Sequence, residues 1–362
     1  MNTTKYICKA FKGKKIFLTG HTGFKGSWLL VWLHELGAIV KGYSLTPNTP
    51  DDLYNLIEGD QLCDSVIGDI RDPQLLENEV LSFQPDFIFH FAAQALVRTS
   101  YDQPCETFDI NAMGTAYLLN SLKNLDKKCS VLCITTDKVY ENNEWIYPYR
   151  EVDRLGGYDP YSASKACAEL IISSFRNSFF NITSYNKHLK IISSARAGNV
   201  IGGGDFAADR LMPDIVQAVQ ADEIITLRNS DAIRPWQHVL EPLRAYMILA
   251  AKMDESPSYS GAWNVGPSTD ENVTVEDMVK IAIDHTKKGS IKYLNSKTEK
   301  HEAGLLKLDS NKASNFLAWH PYMNAKEAII MTLDWYTNQS KGMSALELIK
   351  SDIQNYCAKE AH

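Results

Sequence analysis

Between Lys14 and Ala195 the chain alternates short, continuously apolar runs with helical patterns, and no other feature narrows its folding choices as far. The runs are Ile16-Phe17-Leu18, Ile39-Val40, Val66-Ile67, Phe87-Ile88-Phe89-His90-Phe91, Val131-Leu132-Cys133-Ile134 and Ile191-Ile192. A strand with one wet face alternates apolar and polar residues, whereas a strand covered on both faces does not. The rhythm therefore predicts βαβ units and a doubly wound α/β fold with a parallel sheet. At 362 residues the chain is longer than the roughly 250–300 residues at which single cores stop growing, so two lobes are expected. Past Arg196 the rhythm gives way to the turn Gly202-Gly203-Gly204, a helix near Pro213–Ala221 and mixed short elements. The predicted division is a dinucleotide-binding lobe over 1–196, rejoined by about 233–264. A smaller mixed α/β substrate lobe takes 197–232 and 265–362.

Gly20-His21-Thr22-Gly23-Phe24-Lys25-Gly26 follows the first apolar run directly and opens a helix predicted over Ser27–Leu36. Glycines at that spacing permit a tight turn and bring a helix N-terminus close to a pyrophosphate, the Rossmann arrangement; the bland alternative is a glycine turn. The acidic residue that often meets the ribose about 20 positions on is missing. Gly42-Tyr43-Ser44-Leu45-Thr46 stands there instead, without an arginine to pair with a 2′-phosphate. Hydroxyls of Ser44 or Thr46 suit a plain ribose, which favours NAD. Asp69-Ile70 is positioned to meet the adenine, unless Asp69 only caps a helix, and Phe91-Ala92-Ala93 ends the fourth strand at the cofactor edge.

Five side chains then gather the chemistry. Thr136-Asp137-Lys138 closes the fifth run, and Tyr161 and Lys165 stand four apart, on one face of a helix. An ammonium beside a phenol lowers its pKa from about 10 and makes it a usable base. Asp137-Lys138 adds an acid and a base that simple dehydrogenation does not need. The bland readings are an exposed helix face for the first pair and a surface ion pair for the second.

Composition excludes other classes. The formal charge is −7 with both signs interspersed, so no basic stripe marks a nucleic-acid partner. The seven cysteines include no CxxC pair, which points to a reducing compartment. Cys129 and Cys133, on a strand without nearby histidines, read as core rather than metal ligands, and no metal site is predicted. The polar segment Met1 to Lys15 lacks the apolar run of a signal peptide, and no stretch approaches the ~18 apolar residues of a membrane span. A cytoplasmic protein without membrane contact is expected.

At these residues the chain resembles the extended short-chain dehydrogenase/reductase family that acts on nucleotide sugars, over nearly its full length. Thr136-Asp137-Lys138-Val139-Tyr140-Glu141-Asn142, Tyr149-Arg150-Glu151 and Leu155-Gly156-Gly157-Tyr158-Asp159-Pro160-Tyr161-Ser162-Ala163-Ser164-Lys165 resemble its CDP-glucose 4,6-dehydratase branch. Other dehydratases of the family commonly carry Asp-Glu in place of Asp137-Lys138. By that resemblance Tyr161 takes the C4 hydroxyl proton of CDP-glucose as hydride passes to NAD, with Thr136 and Lys165 orienting the reactants. The 4-ketone acidifies C5; Lys138 is then the implied base and Asp137 the implied acid as water leaves from C6, and hydride returns to C6. A lysine acts as base only when neutral, so Lys138 stabilising an enolate is the other possibility.

The resemblance further implies that Asn199, in Ala197-Gly198-Asn199-Val200, contacts the diphosphate and that Arg234 grips a phosphate with its planar fork. Arg210, Arg98 and Glu302 are weaker substrate candidates that spacing alone does not position. The family pairs the predicted helix Thr107–Lys123 with the helix after Tyr161 in a homodimer, or a tetramer built from it. Met113, Ala116, Leu119 and Leu122 suit that face or intramolecular packing equally. The implied product, CDP-4-keto-6-deoxyglucose, feeds deoxy- and dideoxyhexoses of bacterial surface polysaccharide such as O-antigen in lipopolysaccharide. A cycle that returns its hydride need not release NAD, so tight retention is expected. Three other readings stay open: a sugar-nucleotide 4-epimerase, a dehydratase for a GDP- or dTDP-linked hexose, and a cofactor-sensing protein without catalysis.

Overall fold

A computed structural model describes residues 3–207, 210–227, 230–233, 235–271, 273–293 and 305–361. Six strands come in sequence: β1 (Lys15–Thr19), β2 (Ile39–Ser44), β3 (Asp64–Ile67), β4 (Phe87–His90), β5 (Cys129–Thr136) and β6 (Lys190–Ala197). Next are β7 (Val200–Ile201), β8 (Ile224–Leu227) and β9 (Gln237–His238); β10 (Gly261–Val265) and β11 (Ser290–Tyr293) follow. The main sheet runs β10-β6-β5-β4-β1-β2-β3 with every pairing parallel. Short parallel pairs, β8 with β11 and β7 with β9, lie outside it.

Every predicted apolar run coincides with a strand of this sheet, Phe91 alone falling just past β4, and the central strands are covered on both faces while Ile39 and Ile67 at the β2–β3 edge are half exposed. All eight residues of β5 and all eight of β6 are buried. One core cluster joins Trp28 and Leu30 of the helix Phe24–Glu35 to Tyr246 and Leu249 of the helix Leu240–Glu255. On the opposite face a second cluster packs Phe17, Ile88 and Val131 against Leu118 and Ile172. The strand order reverses between β1 and β4, and there the chain leaves each strand in opposite directions and opens a crevice.

Two local expectations need correction. The helix after β1 begins at Phe24, not Ser27, because Gly23 is its N-cap and the last residues of the loop, Phe24 to Gly26, already form the first turn. The helix predicted over Thr107–Lys123 is not continuous: Pro104–Phe108 and Gly114–Ser121 are α-helical, Asp109–Met113 between them is a π-turn, and Leu122–Asn124 ends in a 3₁₀ turn. The widened turn lets the Asn111 amide accept from Gln94 N and donate to Gln94 O and to Ser164 Oγ, bonds a regular helix would not aim so. Of the apolar residues that suited a dimer face or intramolecular packing, Leu119 and Leu122 are buried inside the subunit and Met113 is exposed.

Candidate active site

The crevice above the switch point widens into a cleft of about 1590 Å³ running from the glycine loop to the lobe after β6. Its floor is set by a buried chain of bonds. Thr19 Oγ1 meets His90 Nδ1 at 2.8 Å and accepts from the backbone N–H of Phe91 and Ala92, and His90 Nε2 lies 3.1 Å from Thr115 Oγ1. These bonds fix Phe91 and Ala92 below the loop. Gly20 has φ +74°, and a Cβ on it would lie 2.7 Å from Ala92 N. A Cβ on Gly26 would stand 2.1 Å from the Gly20 carbonyl oxygen. No side chain caps the helix that starts at Phe24, so its leading N–H groups suit an anion. A dinucleotide pyrophosphate fits this cradle.

All the other loop residues singled out from sequence, Thr22, Gly23, Phe24 and Lys25, line the cleft, as do Ser44, Asp69, Ile70 and Ala93. Thr22 Oγ1 and Ser44 Oγ are hydrogen-bonded to each other at 2.8 Å at the wall of the cleft. Asp69 does not cap a helix: Asp72 does, for Pro73–Phe83. The Asp69 carboxylate is instead gripped by Arg71, whose Nη2 donates to Oδ2 at 2.7 Å. That grip holds the carboxyl below its ordinary range.

The five chemical residues converge on the same cleft. Asp159 caps the helix Pro160–Ser178 by accepting from Ser162 N, and Pro160 occupies its first turn, which aims Tyr161 and Lys165 at the end of β5. Thr136 Oγ1 donates to Asp137 Oδ1 at 2.9 Å, while the buried Asp137 Oδ2 has no protein partner. Lys138 is half-buried one residue on. Lys165 Nζ donates to the Ile134 carbonyl at 3.3 Å. Burial lowers this ammonium to about 8, against the pull of Cys133 and Glu169.

The expected lowering of the Tyr161 phenol is not found. Burial pushes it up to about 12, the Thr136 hydroxyl opposing and the Asp137 carboxylate adding to the rise. The helix puts Lys165 on the right face, but its ammonium is turned to a backbone carbonyl.

Asn199, Arg210 and Arg98 line the cleft; Arg234 and Glu302 lie outside the described residues. Arg210 is held by Asp205, Nη1 to Oδ2 at 2.6 Å. Sequence reasoning took Lys25 only as part of the glycine loop. Its ammonium in fact shares the electrostatics of the chemical residues: burial lowers it to about 7, Arg210 pushes the same way and Asp137 opposes. The same reasoning took Trp236 only as a neighbour of Arg234, yet its buried indole N–H, with no partner, stands at the cleft wall.

The family model described as GDP-mannose 4,6 dehydratase matches residues 17–332. The chain belongs to that family. Within the GDP-mannose 4,6 dehydratase family, the chain is 46% identical to a CDP-glucose 4,6-dehydratase of Salmonella typhimurium over 347 residues, 96% of this chain and 97% of that protein. It is 27% identical to a GDP-mannose 4,6-dehydratase of Yersinia enterocolitica, over 74% of this chain and 71% of the other. Among solved structures, a dTDP-glucose 4,6-dehydratase of Streptomyces venezuelae with NAD and TYD bound superposes with a TM-score of 0.76 at 22% identity, covering 92% of this chain and 99% of that one. An epimerase of Methanothermobacter thermautotrophicus gives a TM-score of 0.80 at 21% identity, covering 96% and 97%. These two likenesses establish the fold.

Proposed function

We propose that the protein is an NAD-dependent hydro-lyase, a CDP-glucose 4,6-dehydratase, which converts CDP-glucose to CDP-4-keto-6-deoxyglucose and water. The observation that carries this reading is the Asp137-Lys138 pair set in one cleft with Tyr161 and Lys165, in a chain nearly half identical to a protein of that name. A 4-epimerase has no task for the second pair.

Bound NAD supplies the hydride acceptor for C4 and the donor that completes C6. The chain does the rest. The glycine loop and the helix N-terminus at Phe24 hold the pyrophosphate, Thr22 and Ser44 meet the ribose, and Asp69, Ile70 and Phe91 to Ala93 border the adenine and nicotinamide ends. Tyr161 removes the C4 hydroxyl proton, oriented by Thr136, and Lys165 contributes positive charge. Lys138 takes the C5 proton, Asp137, through its open Oδ2, protonates the departing C6 hydroxyl, and Lys138 then returns a solvent-exchanged proton to C5 as C6 is reduced. Asn199 and Arg210 face the diphosphate, with Arg98, Arg234 and Glu302 as further substrate contacts.

The division into a cofactor lobe and a substrate lobe follows the same reading: β10 adds to the main sheet, while β8 and β11 pair outside it, beyond the cleft. A homodimer is supported by the exposed apolar Met113 and by Leu170, which is 60% exposed on the helix that carries Tyr161. Unpaired cysteines, and the absence among the described residues of a helix able to cross a membrane, are consistent with a cytoplasmic setting. The product then enters deoxyhexose synthesis for surface polysaccharide.

Incubation with NAD and CDP-, dTDP-, GDP- or UDP-hexoses in deuterated water, followed by NMR, tests the reading. Conversion of CDP-glucose alone to a 4-keto-6-deoxy sugar bearing deuterium at C5 is expected. A 4-epimer, or turnover of another nucleotide only, would overturn the chemistry or the substrate respectively. Denaturing the purified protein and assaying the supernatant for nicotinamide nucleotide tests its retention.

A further inference from the structure

We infer that Glu169 is a positioning residue that sets the placement of the eliminating pair, Asp137 and Lys138, relative to the oxidising pair, Tyr161 and Lys165; this rests on the dehydratase reading. Tyr161, Lys165 and Glu169 are spaced by four on the helix Pro160–Ser178 and so share one face. The first two reach the cleft, and Glu169 sits one turn further on, beneath its floor and 3% exposed. Its Oε1 accepts from Thr135 Oγ1 at 2.5 Å. Its Oε2 accepts from Ser194 Oγ at 2.8 Å and from Arg196 Nη2 at 2.8 Å. Arg196 Nη1 donates in turn to the Tyr140 hydroxyl at 2.8 Å, and that hydroxyl donates to Asn264 Oδ1 at 2.7 Å.

Thr135 and Tyr140 flank the segment 136–139. One carboxylate therefore grips both ends of the segment that carries Asp137 and Lys138, directly at Thr135 and through Arg196 at Tyr140. The oxidising pair is joined to the same carboxylate through its own helix. The two pairs must act in succession on adjacent sugar carbons, so their relative placement has to be held within a fraction of an ångström. Loosening the Thr135 arm shifts Thr136, Asp137 and Lys138 together while Tyr161 and Lys165 stay with their helix, so oxidation loses only the aim of the Thr136 hydroxyl whereas elimination loses the placement of both its acid and its base. C4 oxidation then still transfers hydride to NAD and a proton to Tyr161, but loss of water across C5–C6 lags, and reduced nicotinamide with the 4-keto hexose accumulates before hydride can return to C6.

The test is Thr135→Val, which removes one hydroxyl and leaves the Glu169–Arg196 pair whole. NAD-loaded enzyme is given CDP-glucose and followed by the near-ultraviolet absorbance of reduced nicotinamide and by NMR of the product. The expected result is a steady-state level of reduced nicotinamide roughly tenfold above the unmodified protein, with product formation slowed by at least that factor. Thr135→Ser should restore both. Tyr140→Phe, which cuts the other arm, carries the same expectation should the valine variant fold poorly. An unchanged level of reduced nicotinamide in folded Thr135→Val and Tyr140→Phe, or equal slowing of oxidation and elimination, would overturn the inference. Absence of turnover by the unmodified protein would sink the dehydratase reading, and this inference with it.

Discussion

Thr136 and Asp137 are joined side chain to side chain: the threonine Oγ1 donates to Asp137 Oδ1 at 2.9 Å, which leaves the buried Oδ2 as the only carboxylate oxygen of Asp137 without a protein partner. A donor fixed on one oxygen determines where the other points. That is the arrangement expected of an acid waiting for a hydroxyl rather than of a surface ion pair. Asp137→Asn keeps the acceptor for Thr136 and loses the transferable proton. Dehydration should fall by about 10²–10⁴-fold, while reduction of bound NAD by CDP-glucose persists in single-turnover absorbance. Equal loss of both would remove Asp137 from the elimination step.

The glycine loop tolerates no side chain where it folds back on itself. Gly26→Ala would drive a Cβ to 2.1 Å from the Gly20 carbonyl oxygen, so the turn must open. Calorimetric titration should find no saturable NAD binding, and thermal unfolding should report a loss of about 1–3 kcal/mol.

A buried cluster under the C-terminal helix Ala345–Ala358 should govern stability without touching the chemistry. The Tyr356 hydroxyl accepts from Arg244 Nε at 2.8 Å and donates to Glu241 Oε2 at 2.6 Å, while the Arg244 guanidinium lies 3.5 Å from the Tyr322 ring centroid. Tyr356→Phe leaves both charged groups one bond short in the interior. Urea melts should show about 1–3 kcal/mol of destabilisation with kcat unchanged.

Asp352 offers a pH-dependent case with a definite sign. Burial, and then the charge of Asp334, raises its carboxyl from 3.8 to about 7. A raised carboxyl favours the folded state fully below the unfolded pKa, and that contribution is lost as pH climbs through the folded one. Asp352→Asn should therefore raise the Tm relative to the unmodified protein at about pH 8 and leave it unchanged near pH 3.5. A Tm difference of the same size at both pH values would rule out the carboxylate as its cause.

Much of the fold was legible because the central strands of a parallel sheet, covered on both faces, leave continuous apolar runs, and each run from Ile16-Phe17-Leu18 to Ile191-Ile192 coincides with a strand, Phe91 alone falling past the end of β4. The glycine loop was equally legible, since its spacing after a strand is a local demand of backbone sterics. The π-turn at Asp109–Met113 was not, because Asn111 bonds to Gln94 and Ser164, residues 17 and 53 positions away. The helical spacing of Tyr161 and Lys165 told which face they share but not the burial that pushes the phenol up to about 12.

By itself the sequence determined the six strands up to Ala197, the glycine turn after the first of them, and five polar or ionisable side chains that the fold brings to one cleft. These depend on backbone geometry and side-chain type over a few neighbouring positions. Only the tertiary structure decided that Asp137 Oδ2 is left open, that Arg71 holds Asp69, that Lys25 belongs with the chemical groups, and that Glu169 clamps both flanks of the segment 136–139. Each of those relations depends on desolvation or on a bond between distant stretches of chain, and neither exists until the helices close over the sheet.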